Sequence, residues 1–323
     1  MPTSAPFGAL AVAVAALLFA LNGTVAKLAM QAGLSTTRLV ELRSTGTAVI
    51  LLTVALVVVP RRMRLRLREL ALMSVLGLVG VAMVQWFYLV AISRLPVGLA
   101  LLIEYTAPLL VALWARFVLG EPMRVRVWWA LGACLVGLTL VAQVPRGVVL
   151  DPIGVAAAIG AALCLATYYL LGERLLAQRD PLSAQGWSFA FAAIFWIVVQ
   201  SLQESRPGTL ASEVPLPGVL DGVVAPLWVL VAWIVVLGTV VPYLLLVGGL
   251  KVIGAARTGL IAMLEPVAAA AAAWVVLGES MTVVQLVGGA VVLAGIGLAE
   301  TARRGRRVRD GRAADEEPEM ITV

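Results

Sequence analysis

The chain has 323 residues, 62% apolar and only 13% charged, with a net charge of +6 and a mean hydropathy of +1.02. About 200 apolar residues can fill about ten membrane spans, whereas one soluble core of this size would leave too much apolar surface in water. Histidine is absent, and Cys134 and Cys164 both lie inside apolar stretches. Imidazole chemistry, a His- or Cys-based metal site and an extracellular disulfide framework are therefore excluded, and no cofactor is implied.

Hydrophobic runs separated by charged or Pro/Gly-rich breaks predict ten spans, near 7–28, 37–59, 70–92, 97–118, 127–143, 152–176, 184–202, 226–248, 256–277 and 282–301. The first run is longer than a signal peptide and has no basic residue before it, so it reads as a retained helix. The breaks include the Arg-rich segment Pro60 to Glu69, the Gly120-Glu121-Pro122 turn and the Pro145 to Pro152 linker. The longest connection runs from about Gln203 to Pro226.

With the N-terminus placed in the cytoplasm, 18 of the 24 Lys and Arg residues fall on the inside, six of them in the tail. Lys27, Arg38, Arg43, Arg94, Arg146 and Arg206 stay in the outer half. Both termini are thus expected in the cytoplasm of a multi-pass protein of the cell membrane. The basic charge reflects topology and attraction to anionic lipid, and no nucleic-acid partner is implied. Residues 303–323, basic and then acidic, read as a disordered cytoplasmic tail.

An internal repeat organises the rest. Shifted by 158 residues, Leu95–Leu140 aligns with Ile253–Leu298, with 14 of 46 positions identical. Val118-Leu119-Gly120-Glu121, Met123 and Val125 return as Val276-Leu277-Gly278-Glu279, Met281 and Val283, and Pro108 falls on Pro266. Each half then holds five spans. An odd number makes the second copy enter from the opposite side, an arrangement that builds alternating-access transporters with a site near mid-membrane. Duplication also builds channels and membrane enzymes.

The ten spans and the repeated helix–Pro–helix–Leu-Gly-Glu pattern resemble the drug/metabolite transporter superfamily, in its EamA-domain branch. The resemblance divides the chain into a first repeat at 7–143 and a second at 152–299. Glu104-Tyr105-Thr106-Ala107-Pro108-Leu109 is similar to a segment of the threonine/homoserine exporters. The resemblance implies an all-α secondary transporter that exports amino acids or related small metabolites. A drug or cation exporter of the same fold is the alternative, and a lipid-modifying membrane enzyme a weaker one. Chemistry on lipids would call for clustered acids, a histidine or a metal motif, and the chain has none. A phosphate-binding Gly-x-x-x-x-Gly-Lys loop is absent too, which points away from ATP.

Two carboxylates fall deep within spans. Glu104 lies in the fourth and Glu265 in the ninth, where a charge costs about 2.5–3.5 kcal/mol on insertion scales. Each must face a cavity, be paired, or carry a proton, and each can hold a substrate ammonium or a coupling proton. Glu104 aligns with Ala262 and Glu265 with Ala107, an offset of three residues that leaves both able to face one cavity. Pro108 and Pro266 free the carbonyls of Glu104 and Ala262 and offer kinks for gating. Arg43 can pair a substrate carboxylate. Snorkelling to the outer interface or pairing with Glu41 is the favoured alternative. Asn22, Gln85, Tyr88, Tyr105, Tyr168 and Tyr243 are candidates for a neutral polar lining. Lys27, Trp128, Trp129, Trp228 and Trp274 read as interface residues, and the Gly-Glu pairs and Gly288-Gly289 as structural. The oligomeric state is not legible in the sequence.

Overall fold

The structure is a computed structural model that describes residues 5–95, 97–123, 125–142, 150–202, 210–216, 221–277 and 282–315. For residues 68, 97, 273–277 and 300–315 it describes the backbone alone. Gly278, Glu279, Met281, Arg124, Arg146, Arg206 and residues 316–323 lie outside the described residues, as do the side chains of Trp274 and the tail arginines.

Among the described residues, nine helices are long and apolar enough to cross a membrane. Spans 1 to 5 are Ala5–Gln31, Thr36–Val58, Glu69–Arg94, Gly98–Phe117 and Val125–Ala142. Spans 6 to 9 are Pro152–Leu176, Pro181–Ser201, Leu227–Ile253 and Ala255–Ala272, and a shorter apolar helix, Val283–Ala299, completes the set as span 10. Local signals set several starts. Ser35, Asp151 and Asp180 accept hydrogen bonds from backbone N–H groups of the first turns of spans 2, 6 and 7. Pro152 and Pro181 occupy first-turn positions where no N–H is needed. Gly120, at φ 68°, takes the left-handed conformation expected after span 4.

Large apolar side chains such as Phe7, Leu10, Phe117, Trp129 and Ile194 remain exposed on the outer faces of the bundle. That pattern suits a hydrocarbon solvent, and Trp129 and Trp228 are among the exposed side chains. The helix contacts carry a two-fold pattern. Span 1 packs on spans 8 and 9, while span 6 packs on spans 3 and 4. Spans 2 and 7 pair with each other, as do spans 5 and 10. Exchanging the five-span halves maps each contact onto another or onto itself, which is the pseudo-two-fold of an inverted repeat. Small residues let spans 5 and 10 cross closely: a Cβ on Gly137 of span 5 would lie 2.7 Å from the Gly288 carbonyl oxygen of span 10.

The symmetry reaches irregular backbone that the sequence reading did not anticipate. Span 3 contains a π-helical stretch, Leu76–Met83, and span 8 contains another, Val236–Val240. Gly80 and Gly238, again 158 residues apart, sit in these stretches. Span 4 is broken at Tyr105-Thr106 and span 9 at Met263, the aligned position. The kinks expected at Pro108 and Pro266 are therefore breaks. A new helix, Ala107–Phe117, starts with Pro108 in its first turn, because proline is tolerated there and not in a helix interior.

One further feature departs from expectation. The long connection between spans 7 and 8 holds an antiparallel strand pair, Glu213–Pro215 and Val224–Pro226. The last helix runs Val283–Asp315.

The two ends of the bundle differ. At one end Arg179, between spans 6 and 7, donates from Nη1 to the Arg62 carbonyl at 3.0 Å and from Nη2 to Glu69 Oε2 at 3.0 Å, and also to the Arg64 carbonyl. Lys251 at the end of span 8 donates to the Arg179 carbonyl at 3.1 Å, and Trp187 Nε1 to the Met63 carbonyl at 3.2 Å. The Arg179 and Trp187 bonds tie the two halves together at this end.

Candidate functional site

Between the halves lies a chamber of about 80 Å³. By this measure one water needs roughly 10–15 Å³, so the space is on the scale of a small metabolite. Its walls come from spans 1 to 4, 6, 8 and 9. All of the sequence candidates for a polar lining meet there: Asn22, Arg43, Gln85, Tyr88, Glu104, Tyr105, Tyr168, Tyr243 and Glu265. Pro266 lies in an adjoining cavity, and Pro108 packs beneath Gly259, so neither proline lines the chamber itself.

The two glutamates enter at the helix breaks. Glu104 is the last residue of the helix Val97–Glu104 and is buried. Glu265 sits in the first turn of the helix Leu264–Leu277. Tyr105 Oη donates to Glu265 Oε2 at 2.5 Å, joining one break to the other across the halves. Breaking the helices at this depth lets the side chains project into the chamber, where irregular backbone borders a cavity and not lipid.

Arg43 settles differently from the simplest sequence alternatives. It is 5% exposed, and Glu41 pairs with Arg38 instead. Arg43 Nε donates to Thr239 Oγ1 at 2.7 Å and Nη2 to the Gly238 carbonyl at 3.3 Å. Both acceptors belong to the π-helical stretch of span 8, whose Thr239 hydroxyl in turn donates to the Ile234 carbonyl at 2.7 Å. A Cβ on Gly238 would fall 2.0 Å from Asn22 Oδ1, so any larger residue there would displace the Asn22 side chain. Neither Glu104 nor Glu265 lies within ion-pair distance of Arg43 among the described residues. The chamber thus presents one guanidinium and two carboxyl groups that are not consumed by direct pairing.

All five tyrosines of the chain line this chamber. Tyr243 meets the rings of Phe19, Tyr168 and Phe189 edge-on at 5.1–5.8 Å between centroids. Its hydroxyl accepts from Gln85 Nε2 at 3.4 Å, and Tyr168 Oη accepts from the buried Gln185. The Oδ1 of Asn22 and the Oε1 of Gln85 are buried acceptors without a protein donor among the described residues. The sequence reading did not select Tyr169, Thr239, Gln185 or Phe19. The clustering of every tyrosine was the available signal for Tyr169, while the other three are ordinary residues of apolar helices.

Lys27, expected at the membrane interface, lines a second cavity of about 360 Å³ that adjoins the chamber at the end opposite Arg179. Phe19, Gly23, Tyr88 and Glu265 border both spaces.

Two inverted five-helix halves around a buried polar chamber define a polytopic transporter. The sequence pattern of the EamA-like transporter family matches residues 6–143 and again 152–301, and the chain belongs to that family, within the drug/metabolite transporter superfamily. The threonine/homoserine exporter RhtA of Escherichia coli K12 is 30% identical over 226 residues, 69% of each chain. The uncharacterized transporter YyaM of Bacillus subtilis is 30% identical over 230 residues, 69% of this chain and 70% of its own. The uncharacterized inner membrane transporter YicL of Salmonella typhimurium is 24% identical over 307 residues, 94% and 97% of the two chains. A solved crystal structure shares the fold with a TM-score of 0.73 at 19% identity, covering 92% of this chain and 97% of its own.

Proposed function

We propose that the chain is a secondary active exporter of amino acids or closely related small metabolites, working by alternating access between its two halves. The observation that carries this reading is the placement of Arg43, Glu104 and Glu265 around one small chamber. A guanidinium binds a carboxylate bidentately, and a buried carboxylate binds an ammonium, so the set matches both ends of a zwitterion. With all three ionised, the chamber holds one excess negative charge, which a coupling proton or a second cationic contact would balance. The similarity to RhtA supports threonine or homoserine as the first substrates to try.

In this reading the second cavity is the path to one compartment and the Arg179 contacts close the other. The positive-inside count places the arginine-rich closed end, and both termini, in the cytoplasm of the cell membrane. The chamber then faces outward, and export requires the Arg179 contacts to open. Glu104 and Glu265 take the substrate ammonium or the coupling proton, and the paired breaks of spans 4 and 9 give the chamber walls freedom to rearrange.

A second reading, export of organic cations, is favoured by the five tyrosine rings beside two carboxylates, a setting that attracts cations. Arg43 separates the two: a cation without a carboxylate gains nothing from it. The test is purified protein in liposomes with labelled L-threonine and L-homoserine, with and without a pH gradient. Glu104→Gln and Glu265→Gln are expected to lower flux tenfold or more, about the effect of losing one charged hydrogen bond. Wild-type rates with unchanged pH dependence in both variants would refute the role, and flux of cations alone would favour the second reading.

A further inference from the structure

The cavity of about 360 Å³ beside the chamber has a charge arrangement of its own. Along span 1, Phe19 and Gly23 border both spaces, while Thr24 and Lys27 border only the larger one. Gly23 and Lys27 are four residues apart and share a helix face, and Lys27 lies about 12 Å beyond Phe19 along the axis. Lys27 is exposed and forms no ion pair among the described residues. Glu265 is the acidic residue common to both spaces, whereas Arg43 and Glu104 border only the chamber. Each space therefore combines one cationic side chain with Glu265.

We propose that the larger cavity is a second zwitterion subsite, in which Lys27 takes the substrate carboxylate while Glu265 keeps its ammonium. This inference rests on the amino-acid reading above. A substrate leaving the chamber exchanges Arg43 for Lys27 at one end and holds Glu265 at the other. The transfer never strips both charged ends at once, so neither is desolvated without a partner. Lys27 is more exposed and more hydrated than the buried Arg43, so the outer subsite is the weaker, and the exchange favours release.

The test is homoserine flux in liposomes of known orientation, with apparent affinity measured separately from each face. Lys27→Gln is expected to weaken apparent affinity from the cavity face about threefold, the scale of an exposed charge pair. Lys27→Arg should stay near wild type. Lys27→Glu should weaken affinity further, because a carboxylate there repels the substrate carboxylate; if Lys27 faced the ammonium end, Lys27→Glu would strengthen it. Affinity from the opposite face should be unchanged in all three. Equal affinities across the series would make Lys27 an interfacial residue only and overturn the subsite. Tighter binding in Lys27→Glu, or parallel losses at both faces, would overturn it too. Absence of homoserine and threonine flux in the wild type would instead fail the amino-acid reading on which the subsite stands.

Discussion

Among the described residues, two ion pairs join the halves of this protein, one at each end of the bundle, and they are built differently. Arg179 and Glu69 are 7% and 21% exposed, and Arg179 also holds two backbone carbonyls of the segment between spans 2 and 3. Arg94 and Asp151, at the cavity end, pair at 3.1 Å with 42% and 35% exposure, and Asp151 spends its other oxygen capping span 6. The first is a multidentate contact made by a buried arginine. The second is a solvated contact at the opposite end. The same pairing chemistry therefore gives a stronger contact at one end than at the other, because burial and the number of acceptors set the strength of a charged contact.

Breaking the Arg179 closure should have the largest effect. Arg179→Gln removes two charge-assisted bonds and an ion pair, and hydrogen bonds to charged groups contribute about 1.5–3 kcal/mol each. A cysteine introduced at Gln185, with Cys134 and Cys164 replaced by serine, should then react with an impermeant thiol reagent from that face at least about tenfold faster. Unchanged labelling would mean that Arg179 does not hold this end shut.

A smaller effect is expected within the chamber wall. Gly238→Ala places a Cβ against Asn22 and disturbs the carbonyl that holds Arg43, so overpacking should cost about 1–3 kcal/mol. Gly248→Ala, where a Cβ meets nothing within 4 Å, is the control and should unfold at the wild-type temperature. Equal melting temperatures in detergent for both variants would remove the argument that the span 8 backbone is built to approach Asn22.

The smallest effect belongs to Arg94→Gln, which should change transport and melting by less than about threefold and about 1 kcal/mol. Protonation offers a finer test of the same pair. The backbone N–H of Gly154, followed by Arg94, holds the Asp151 carboxyl below the usual aspartate range. Its stabilising contribution is therefore present above the unfolded-state value, about 3.9, and is lost as pH falls through the lowered folded-state value. Asp151→Asn should flatten that part of the pH–stability curve, whereas a loss of stability already at pH 6 would show that another group is responsible.

Much of the candidate site could be read from the sequence because charge and hydrogen-bonding groups are rare in apolar helices. Glu104, Glu265 and Gln85 stand out against Leu, Val and Ala at any depth. Arg43 and Lys27 could not be assigned, since an arginine or lysine a turn or two from a span end serves an interface as readily as a cavity. The difference is rotational: about 100° about the helix axis separates the chamber from lipid, and spans that are apolar all round give no amphipathic stripe to mark it. The π-helical stretches were invisible for a related reason. Gly80 and Gly238 match in alignment, but their backbone is decided by the side chains of spans 1, 2, 6 and 7 packed against them.

What the amino-acid order determined by itself is the list of apolar segments, their number and their duplication, since a bilayer reads hydropathy one segment at a time and an odd repeat must invert. Only the tertiary structure decided which side chains share a space. That Arg43 meets the tyrosines, that Lys27 and Glu265 border one cavity and that Arg179 joins the two halves at the far end all depend on helices distant in sequence packing side by side. Packing chooses helix rotation and crossing by shape, and shape is a property of the neighbours together.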